Sequence, residues 1–423
     1  MGPASCSRAR VSDVAAWVEA WAAPVAAEEL ALSKAAGRVL AADVTAAMDV
    51  PPFDRAAADG FALLAGETVG AGAYNPLPFR LVPASAAVQV GQAAAVECGD
   101  RLPAGTDAVV RLEHATPDAP GMMACTVAII APVVAESEVE RAGSQSTRGG
   151  VLAGAGRRLG PGEIGLLASA GVEQVSVVGR PRVRCLLAAG RVIETGDALA
   201  PGAVYDASGP MLAALIERDG GVVVGRRRVK RSAAALRDAL GFPGADIVLV
   251  AGGTGPGAGD VSAAALAETG ELAIHGVALR PGETAGAGRV AGVPVFLLPG
   301  APAACLWAYE LLAGQAVRRL AGHSAELPFA AQQVRLARKI VSEVGTTDIC
   351  PIRWTEDGEV EPLAPFAEAG LAAAAQGDGF VIVPEASEGY PQGAPVTVHL
   401  YPGRGQTPRV TAGVQNNAGK RGV

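Results

Sequence analysis

Strand-like and helix-like segments alternate regularly between residues 183 and 321. Short apolar runs predict strands at Val183–Ala188, Val222–Val224, Asp246–Ala251 and Val293–Leu297. Apolar residues at helical spacing predict the helices Gly209–Asp219, Ser232–Leu240, Asp260–Thr269 and Pro302–Ala321. Because strand–helix–strand units fold with right-handed crossovers, this alternation predicts a parallel, doubly wound sheet. Ligands of such sheets bind at the carboxyl ends of the strands.

The segments on either side of this region follow other patterns. Residues 11–36 show helical spacing interrupted at Pro24, which predicts two helices. Residues 75–140 and 328–402 contain short alternating runs between Gly, Pro and Asp, which predict two small β domains. The expected strands are Phe79–Val82, Ala86–Val90, Ala108–Leu112 and Cys125–Val134 in the first domain, and Val334–Lys339, Ile349–Trp354, Phe380–Val383 and Pro395–Leu400 in the second.

A chain of 423 residues exceeds what one hydrophobic core normally organises, so we expect an α/β protein of several domains. The final residues are rich in Gly, Asn, Arg and Thr, a composition typical of disorder. The predicted divisions are a helical linker domain at 7–50 with 150–180, an inserted β domain at 51–149, the doubly wound domain at 181–324, a C-terminal β-barrel at 325–403 and a disordered tail at 404–423.

Composition and charge exclude several classes of protein. The apolar runs are far shorter than the roughly 20 residues of a membrane span, and we expect no export signal, hence a cytoplasmic protein. The six cysteines form no C-x-x-C pair, so we expect reduced thiols and no zinc or iron–sulfur site. A net charge of −7 argues against a nucleic-acid-binding surface.

The strongest local motif is DIVLVAGGTGPGAGD at residues 246–260, in which an apolar strand runs into a glycine-rich turn and then a helix. Backbone amides of such a turn can point into one concavity, and the helix N-terminus adds a positive dipole. The turn is not a Walker A loop, and it matches a dinucleotide fingerprint poorly. We interpret it as a phosphate site or, alternatively, as a plain strand–helix turn. The candidate binding residues are Gly252, Gly253, Thr254, Gly255 and Gly257.

Two further turns are predicted near the same sheet edge. In LLPGAPAAC, Pro299 and Gly300 follow a strand and can approach a ligand closely, or they simply mark the start of a helix. The turn Arg280-Pro281-Gly282 offers a cation, or is a solvated loop.

Charged residues supply further candidates. Asp260 is either a helix N-cap or a metal ligand. Asp54 and Asp59 are two acids in the loop PPFDRAAADG, where capping of turns is the alternative role. The basic run RRRVKR at 226–231, predicted between a strand and a helix, either grips phosphate or is solvated. His114, His275 and His323 lack the spacing of a metal triad, so we interpret them as structural.

Seven motifs in a fixed order make the chain resemble the molybdopterin molybdenumtransferase family, which includes MoeA and the gephyrin E-domain. They span about residues 11–402 and are AGRVLAADVTAAMDVPPFDRAAADGFAL (36–63), RLPAGTDAVVRLEH (101–114), LGPGEIGLLASAGV (159–172), GDALAPGAVYDASGPMLAALI (196–216), DIVLVAGGTGPGAGD (246–260), GVALRPGE (276–283) and VPVFLLPGAP (293–302). The resemblance implies four domains, of which the doubly wound one is MogA/MoaB-like.

The resemblance also implies a function in molybdenum cofactor biosynthesis. Family members insert molybdenum from molybdate into adenylylated molybdopterin with the help of Mg²⁺ and release AMP. They are homodimers whose active site lies between the doubly wound domain of one subunit and the inserted β domain of the other. Molybdopterin adenylyltransferase and recipient molybdoenzymes are the implied partners. By resemblance, the glycine turn and Asp206 bind the pterin phosphate or nucleotide, and Asp59 and Asp260 are catalytic acids near metal and molybdate.

The chain departs from the family pattern at several polar positions. Arg55 stands where the family has Asn, and Gln145 stands where it has an acid. Arg191 lies in the segment Ala189–Val192, which replaces the family's Thr-Gly-Asp-Glu element, and Lys230-Arg231 replaces paired aspartates. Because magnesium is held by carboxylate oxygens, these changes weaken the predicted metal site and leave the backbone turn unaltered. The alternative function is therefore a carrier or maturation factor that binds molybdopterin or its nucleotide.

Overall fold

The computed structural model describes residues 8–117, 125–363 and 370–404. Of the tail predicted to be disordered, all but Arg404 lies outside the described residues. The chain forms two compact units. The smaller comprises Ala27–Val178, and the larger comprises the residues up to Ala26 together with those from Gly179 onward.

A six-stranded sheet forms the centre of the larger unit. Its strands are β1 (Arg182–Ala188), β2 (Val222–Val229), β3 (Ile247–Ala251), β4 (Glu271–His275), β5 (Gly286–Val290) and β6 (Val293–Leu298), arranged in the order β2-β1-β3-β6-β5-β4. Strands β2, β1, β3 and β6 are mutually parallel, which confirms the predicted doubly wound architecture. Strands β5 and β4, which the sequence pattern did not predict, are antiparallel additions. The turn Ala291-Gly292, with positive φ at both residues, joins β5 directly to β6, so these neighbours run in opposite directions.

Helices cover both faces of this sheet. They are α1 (Ser208–Arg218), α2 (Ala233–Leu240), α3 (Ser262–Thr269), α4 (Pro302–Ala308) and α5 (Gly314–Leu320), and a π-helical segment, Tyr309–Ala313, joins α4 to α5. Side chains of β3 alternate between two apolar clusters: Leu249 packs on the side of α1, α4 and α5, whereas Val248 and Val250 pack on the side of α2 and α3. Because both faces are buried, β3 is apolar at every position.

The first helix of the chain, Val11–Glu19, also belongs to the larger unit. Val14 and Val18 are buried in the cluster that contains α1. The ring of Trp17 meets Phe296 of β6 edge-on, with 5.8 Å between the ring centroids. This helix therefore packs against the doubly wound sheet.

Three of the strands predicted for the C-terminal domain are confirmed as Thr347–Trp354, Gly379–Val383 and Pro395–Leu400. The strand predicted at Val334–Lys339 lies earlier, at Ala330–Arg335, and overlaps the prediction only at Val334 and Arg335. Leu279–Arg280 adds a fifth strand, parallel to the start of Thr347–Trp354, which the sequence pattern did not predict. This pairing places Arg280 against the C-terminal sheet. The remaining elements of this part are the strands Ile340–Val341, Val360–Pro362 and Gly389–Tyr390 and the helix Leu371–Gln376.

The smaller unit contains a second six-stranded sheet. The predicted strand Ala86–Val90 is wrong: the chain turns at Gly91, where φ is 73°, and the strand begins at Gln92. Val90 before this turn is exposed. The strands, in spatial order, are Ala108–Arg111, Gly60–Leu63, Gln92–Val96, Leu77–Val82, Thr126–Ile129 and Ala115–Pro117.

The second helix predicted after Pro24 is also wrong. Ala27–Ala31 is a strand paired antiparallel with Gln174–Val178, and Leu30 lies opposite the buried Val175. A distant partner strand therefore overrides the local helical spacing. The other elements of this unit are the helix Pro161–Ser169, the 3₁₀ turns Leu32–Lys34, Ala65–Thr68 and Leu112–His114, and the strand pairs Val44–Thr45 with Val151–Ala153 and Arg55–Ala56 with Val139–Glu140. No helix in the described ranges is long and apolar enough to cross a membrane.

A network of buried charges joins α1 to the helices that follow β6. Asp219, just after α1, is fully buried and accepts from Nη1 of Arg318 at 2.9 Å. Arg218 donates to both carboxylate oxygens of Glu310, at 2.6 and 2.8 Å, and to Asp219. Burial raises the pKa of Glu310, and its ion pair with Arg218 opposes that shift. The network fixes α1 relative to the helical segment Pro302–Leu320.

Removing one member of this network should destabilise the larger unit strongly. Asp219→Ala leaves the buried Arg318 without a carboxylate and removes one of the two acids that Arg218 contacts, and such a loss typically costs about 3 kcal/mol or more. We expect a clear loss of stability in chemical denaturation followed by circular dichroism. The matched control is Glu268→Ala, which removes the exposed pair with Arg237 and should change little. Equal losses in the two variants would contradict the role assigned to the network.

Candidate functional site

The carboxyl ends of β1 and β3 lie where the order of the sheet reverses, because β2 flanks β1 on one side and β3 flanks it on the other. In doubly wound sheets this switch point opens a crevice that binds ligands. The segment Gly252–Gly257, hereafter the glycine turn, follows β3, and Gly190 follows shortly after β1. The predicted phosphate motif therefore lies at the switch point.

Two residues of the glycine turn have conformations and surroundings that only glycine accommodates. Gly252 has φ of 95° and Gly253 of 66°, both in the left-handed region. A Cβ atom on Gly252 would lie 2.7 Å from the carbonyl oxygen of Ala188, and one on Gly253 would lie 2.8 Å from Oγ of Ser262. The glycines thus let β3 end in close contact with β1 and α3.

Hydrogen bonds hold the beginning of the glycine turn in place. The amide of Gly252 donates to Leu298 O at 2.9 Å, and Oγ of Ser262 donates to Gly252 O at 2.8 Å. Within the described part of the chain, the amides of Gly253, Thr254 and Gly255 donate to no protein acceptor. These three consecutive amides are therefore available to donate hydrogen bonds to an anion.

The three predicted turns come together at this edge. A Cβ atom on Gly300 would lie 3.3 Å from Cα of Gly252, so the turn Pro299-Gly300 packs directly on the glycine turn. The hydroxyl groups of Thr254 and Thr284 are hydrogen-bonded at 2.8 Å. Because Thr284 lies two residues after the turn Arg280-Pro281-Gly282, this bond holds that turn close to the glycine turn. The carbonyl oxygen of Thr254 also accepts from Nε2 of His275 at 3.1 Å.

Sequence reasoning missed the contact of His275 with the glycine turn. This histidine ends β4, which the sequence pattern did not predict. The sequence carried a signal, because the apolar Leu272 and Ile274 alternate with Glu271, Ala273 and His275 as in a half-buried strand.

The N-cap role considered for Asp260 is wrong. Helix α3 begins at Ser262 and its cap residue is Val261. Asp260 instead closes the glycine turn: its amide donates to Gly257 O at 2.8 Å, and its Oδ2 accepts from the amide of Gly257 at 3.2 Å. The other carboxylate oxygen accepts from Nη2 of Arg231. Metal binding by Asp260 stays a prediction, and its carboxylate is already paired with Arg231.

The basic run does not lie between a strand and a helix as predicted, because β2 extends to Val229. As the edge strand it is only partly covered, and its arginines face solvent. Arg226 and Arg228 approach Glu194 at 3.9 and 4.0 Å. Arg231, beyond the end of β2, is the member that reaches the glycine turn.

Arg280 and Asp206 are engaged within the protein. Arg280 donates to both oxygens of the fully buried Asp348, at 2.8 and 2.6 Å, and lies 3.2 Å from Glu343. Its hydrogen bonds to Asp348 raise the pKa of Arg280. Asp206 is buried at the start of α1, where its Oδ1 accepts from the amide of Gly209 at 2.8 Å. Ligand contacts by these residues, by Pro299 and by Gly300 stay predictions.

In the smaller unit both loop acids cap turns. Asp59 accepts from the amide of Cys98 at 2.7 Å. Asp54 accepts from the amide of Ala142 at 2.8 Å and pairs with Arg141. The amide of Ala142 and then Arg141 lower the pKa of Asp54. Catalysis or metal binding by Asp59 stays a prediction.

Two departures from the family pattern meet on one carboxylate. Arg55 donates to Oε2 of Glu140 at 2.7 Å, and Gln145 donates to Oε1 at 2.5 Å. These two contacts, that of Arg55 first, lower the pKa of Glu140. The replacements therefore form a local ion-paired cluster.

The buried thiols in the described ranges are poorly suited to nucleophilic chemistry. Cys98 and Cys125 are free and exposed, whereas Cys185, Cys305 and Cys350 are free and buried. Burial raises the pKa of each buried thiol to about 12. A thiol with so high a pKa is a poor nucleophile.

The donor groups do not fit a magnesium ion bound by the protein alone. Magnesium requires oxygen ligands in near-octahedral geometry. No group of three or more His, Cys, Asp and Glu side chains in the described residues is placed to hold a metal. At the glycine turn, the carboxylate of Asp260 faces a guanidinium.

Fold and site together define a multi-domain α/β protein with a glycine turn suited to a phosphorylated ligand at the switch point of its sheet. Three family models match the chain in order. They are the MoeA N-terminal region (domain I and II) at residues 9–171, the "Probable molybdopterin binding domain" at 191–319, and the MoeA C-terminal region (domain IV) at 333–401.

Relatives give the same assignment. Molybdopterin molybdenumtransferase 2 of Mycobacterium tuberculosis is 31% identical over 307 residues, covering 69% of this chain and 74% of its own length. A molybdopterin molybdenumtransferase of Staphylococcus aureus is 29% identical, covering 69% and 71%. A crystal structure of a molybdopterin biosynthesis MoeA protein from Pyrococcus horikoshii matches with a TM-score of 0.75 at 27% identity, covering 93% of this chain and 99% of that chain. The chain belongs to the MoeA family and acts in molybdenum cofactor biosynthesis.

A methyl group at Gly252 should disrupt the switch point. Gly252→Ala combines a left-handed φ with a Cβ clash against Ala188, so we expect a loss of about 2 kcal/mol or more. Gly292→Ala is the matched control, because Gly292 has φ of 82° but open space around it, at the amino end of β6. Thermal unfolding followed by circular dichroism compares the two. A smaller loss at Gly252 than at Gly292 would contradict the close approach of β1 and β3.

Proposed function

We propose that this protein transfers molybdenum derived from molybdate to adenylylated molybdopterin and releases AMP. The observation that supports this most directly is the set of three consecutive amides, those of Gly253, Thr254 and Gly255, at the switch point. The phosphoanhydride of an adenylylated pterin carries anionic oxygens, which such amides bind without help from side chains.

In this proposal the glycine turn both orients and stabilises the phosphoanhydride. Negative charge grows on the leaving phosphate when the anhydride is cleaved, and fixed amides aimed at that charge lower the barrier. The N-terminus of α3, which begins at Ser262, adds a favourable dipole. Gly252 and Gly253 are fixed by their contacts with β1 and α3, so little reorganisation is required.

The proposal includes a homodimer in which Asp59 of one subunit serves the site of a second copy. Molybdopterin adenylyltransferase would supply the substrate in the cytoplasm, and recipient molybdoenzymes would take up the product. No step here is routed through magnesium, because within the described residues of one chain no group of three or more metal-binding side chains is placed to hold it without oxygens from the ligand.

One observation favours a second candidate function. Asp260, the acid that the family resemblance places near the metal, is paired with Arg231. A protein with this arrangement can still bind the phosphorylated pterin through backbone amides. It would then act as a carrier or maturation factor instead of inserting the metal.

Release of AMP distinguishes the two candidates. Purified protein given adenylylated molybdopterin and molybdate should release AMP, measured by chromatography. Gly253→Val should abolish release, because its side chain would meet Ser262 and fill the glycine turn. Gly292→Ala, with open space around it, should retain the activity. Saturable pterin binding without AMP would support the carrier, and no binding would contradict both candidates.

A further inference from the structure

Arg231 crosses the switch point at the carboxyl ends of the parallel strands. It follows β2, and a Cβ atom on Gly190, after β1, would lie 3.9 Å from its Cδ. A Cβ atom on Gly259, after β3, would lie 3.5 Å from its Nη2. The side chain therefore extends from the edge strand across β1 to the loop that begins with the glycine turn.

The guanidinium of Arg231 keeps donors available for a second anion. It donates through Nη2 to Oδ1 of Asp260, and its side chain is 41% exposed. A guanidinium has five N–H donors, so one contact with a carboxylate leaves most of them unused. The other oxygen of Asp260 accepts from Gly257, within the glycine turn. One carboxylate thus positions both the cation and the turn.

We infer that Arg231 is a phosphate-binding residue of this site and supplies its positive charge, so that a phosphorylated ligand binds without a divalent cation. The inference rests on the proposed function only in requiring such a ligand at the glycine turn. Guanidinium groups bind phosphate through paired, charge-assisted hydrogen bonds, a role that a metal ion otherwise serves. The poor fit of magnesium to the described donors is consistent with this substitution.

Calorimetric titration of the full-length protein with ADP, in excess MgCl₂ or in EDTA, tests the inference. The wild type should bind with the same Kd in both buffers. Arg231→Ala should raise Kd about tenfold or more in both, the effect of losing a charge-assisted hydrogen bond. Arg237→Ala is the matched control, because Arg237 is also 41% exposed and pairs with an acid, Glu268, away from the glycine turn. It should leave Kd unchanged.

A charge reversal sharpens the test. Arg231→Asp replaces the cation with an anion and leaves the carboxylate of Asp260 unpaired, so ADP binding should disappear in EDTA and return with MgCl₂, which the freed carboxylate can help to hold. Return of binding also shows that the variant is folded.

Several outcomes would overturn the inference. Loss of wild-type ADP binding in EDTA, or an unchanged Kd in Arg231→Ala, would do so while leaving the proposed function standing. So would a failure of the wild type to bind ADP in either buffer when AMP is still released from adenylylated molybdopterin. If neither ADP binding nor AMP release occurs, the proposed function fails as well.

Discussion

The site depends on the close approach of three strand ends. The carbonyl oxygen of Ala188 occupies the space of a side chain at Gly252, and Gly300 packs on the same residue from β6. Because these contacts involve backbone atoms, side-chain repacking cannot relieve the clash that a larger residue at Gly252 would cause. The left-handed conformation of Gly252 and Gly253 then turns the chain so that the amides of Gly253, Thr254 and Gly255 donate no hydrogen bond within the described protein. Close packing of the backbone and a binding surface of amides are consequences of the same geometry.

Polar contacts hold the glycine turn in place, in addition to the apolar packing of the strands and helices around it. Ser262 and Asp260 fasten the two ends of the glycine turn, and the hydroxyl of Thr284 fastens its middle through Thr254. Farther from the site, Asp219 and Arg318 hold α1 against the helices that follow β6. Buried networks of this kind tolerate the loss of one member poorly, since the remaining partner keeps its desolvated charge. Hydrogen bonds thus hold the glycine turn at its beginning, its middle and its end.

Much of this arrangement could be predicted from local sequence, and the remainder depends on long-range pairing. The alternation of apolar runs predicted β1, β3 and β6, and the glycines after β3 predicted the turn. The same reasoning ended β2 too early, because Arg226–Arg228 look like a solvated loop unless the strand is known to lie at the edge. It also did not find the partner of Arg280, because a parallel pairing with Thr347–Asp348 gives this arginine a buried carboxylate. Local periodicity carries no information about such distant partners.

Three of the residues that depart from the family pattern share one feature, because each donates a hydrogen bond to a carboxylate. Arg55 and Gln145 share Glu140, and Arg231 pairs with Asp260. The carboxylates of Glu140 and Asp260 therefore each receive a hydrogen bond from an arginine of the same chain, and this ion pair neutralises their negative charge without a bound metal ion. Such replacements leave the backbone amides able to bind an anion, because the side chain does not change the hydrogen-bonding capacity of the amide. An anion site built on amides can therefore retain its ligand while the source of countercharge changes from metal to guanidinium.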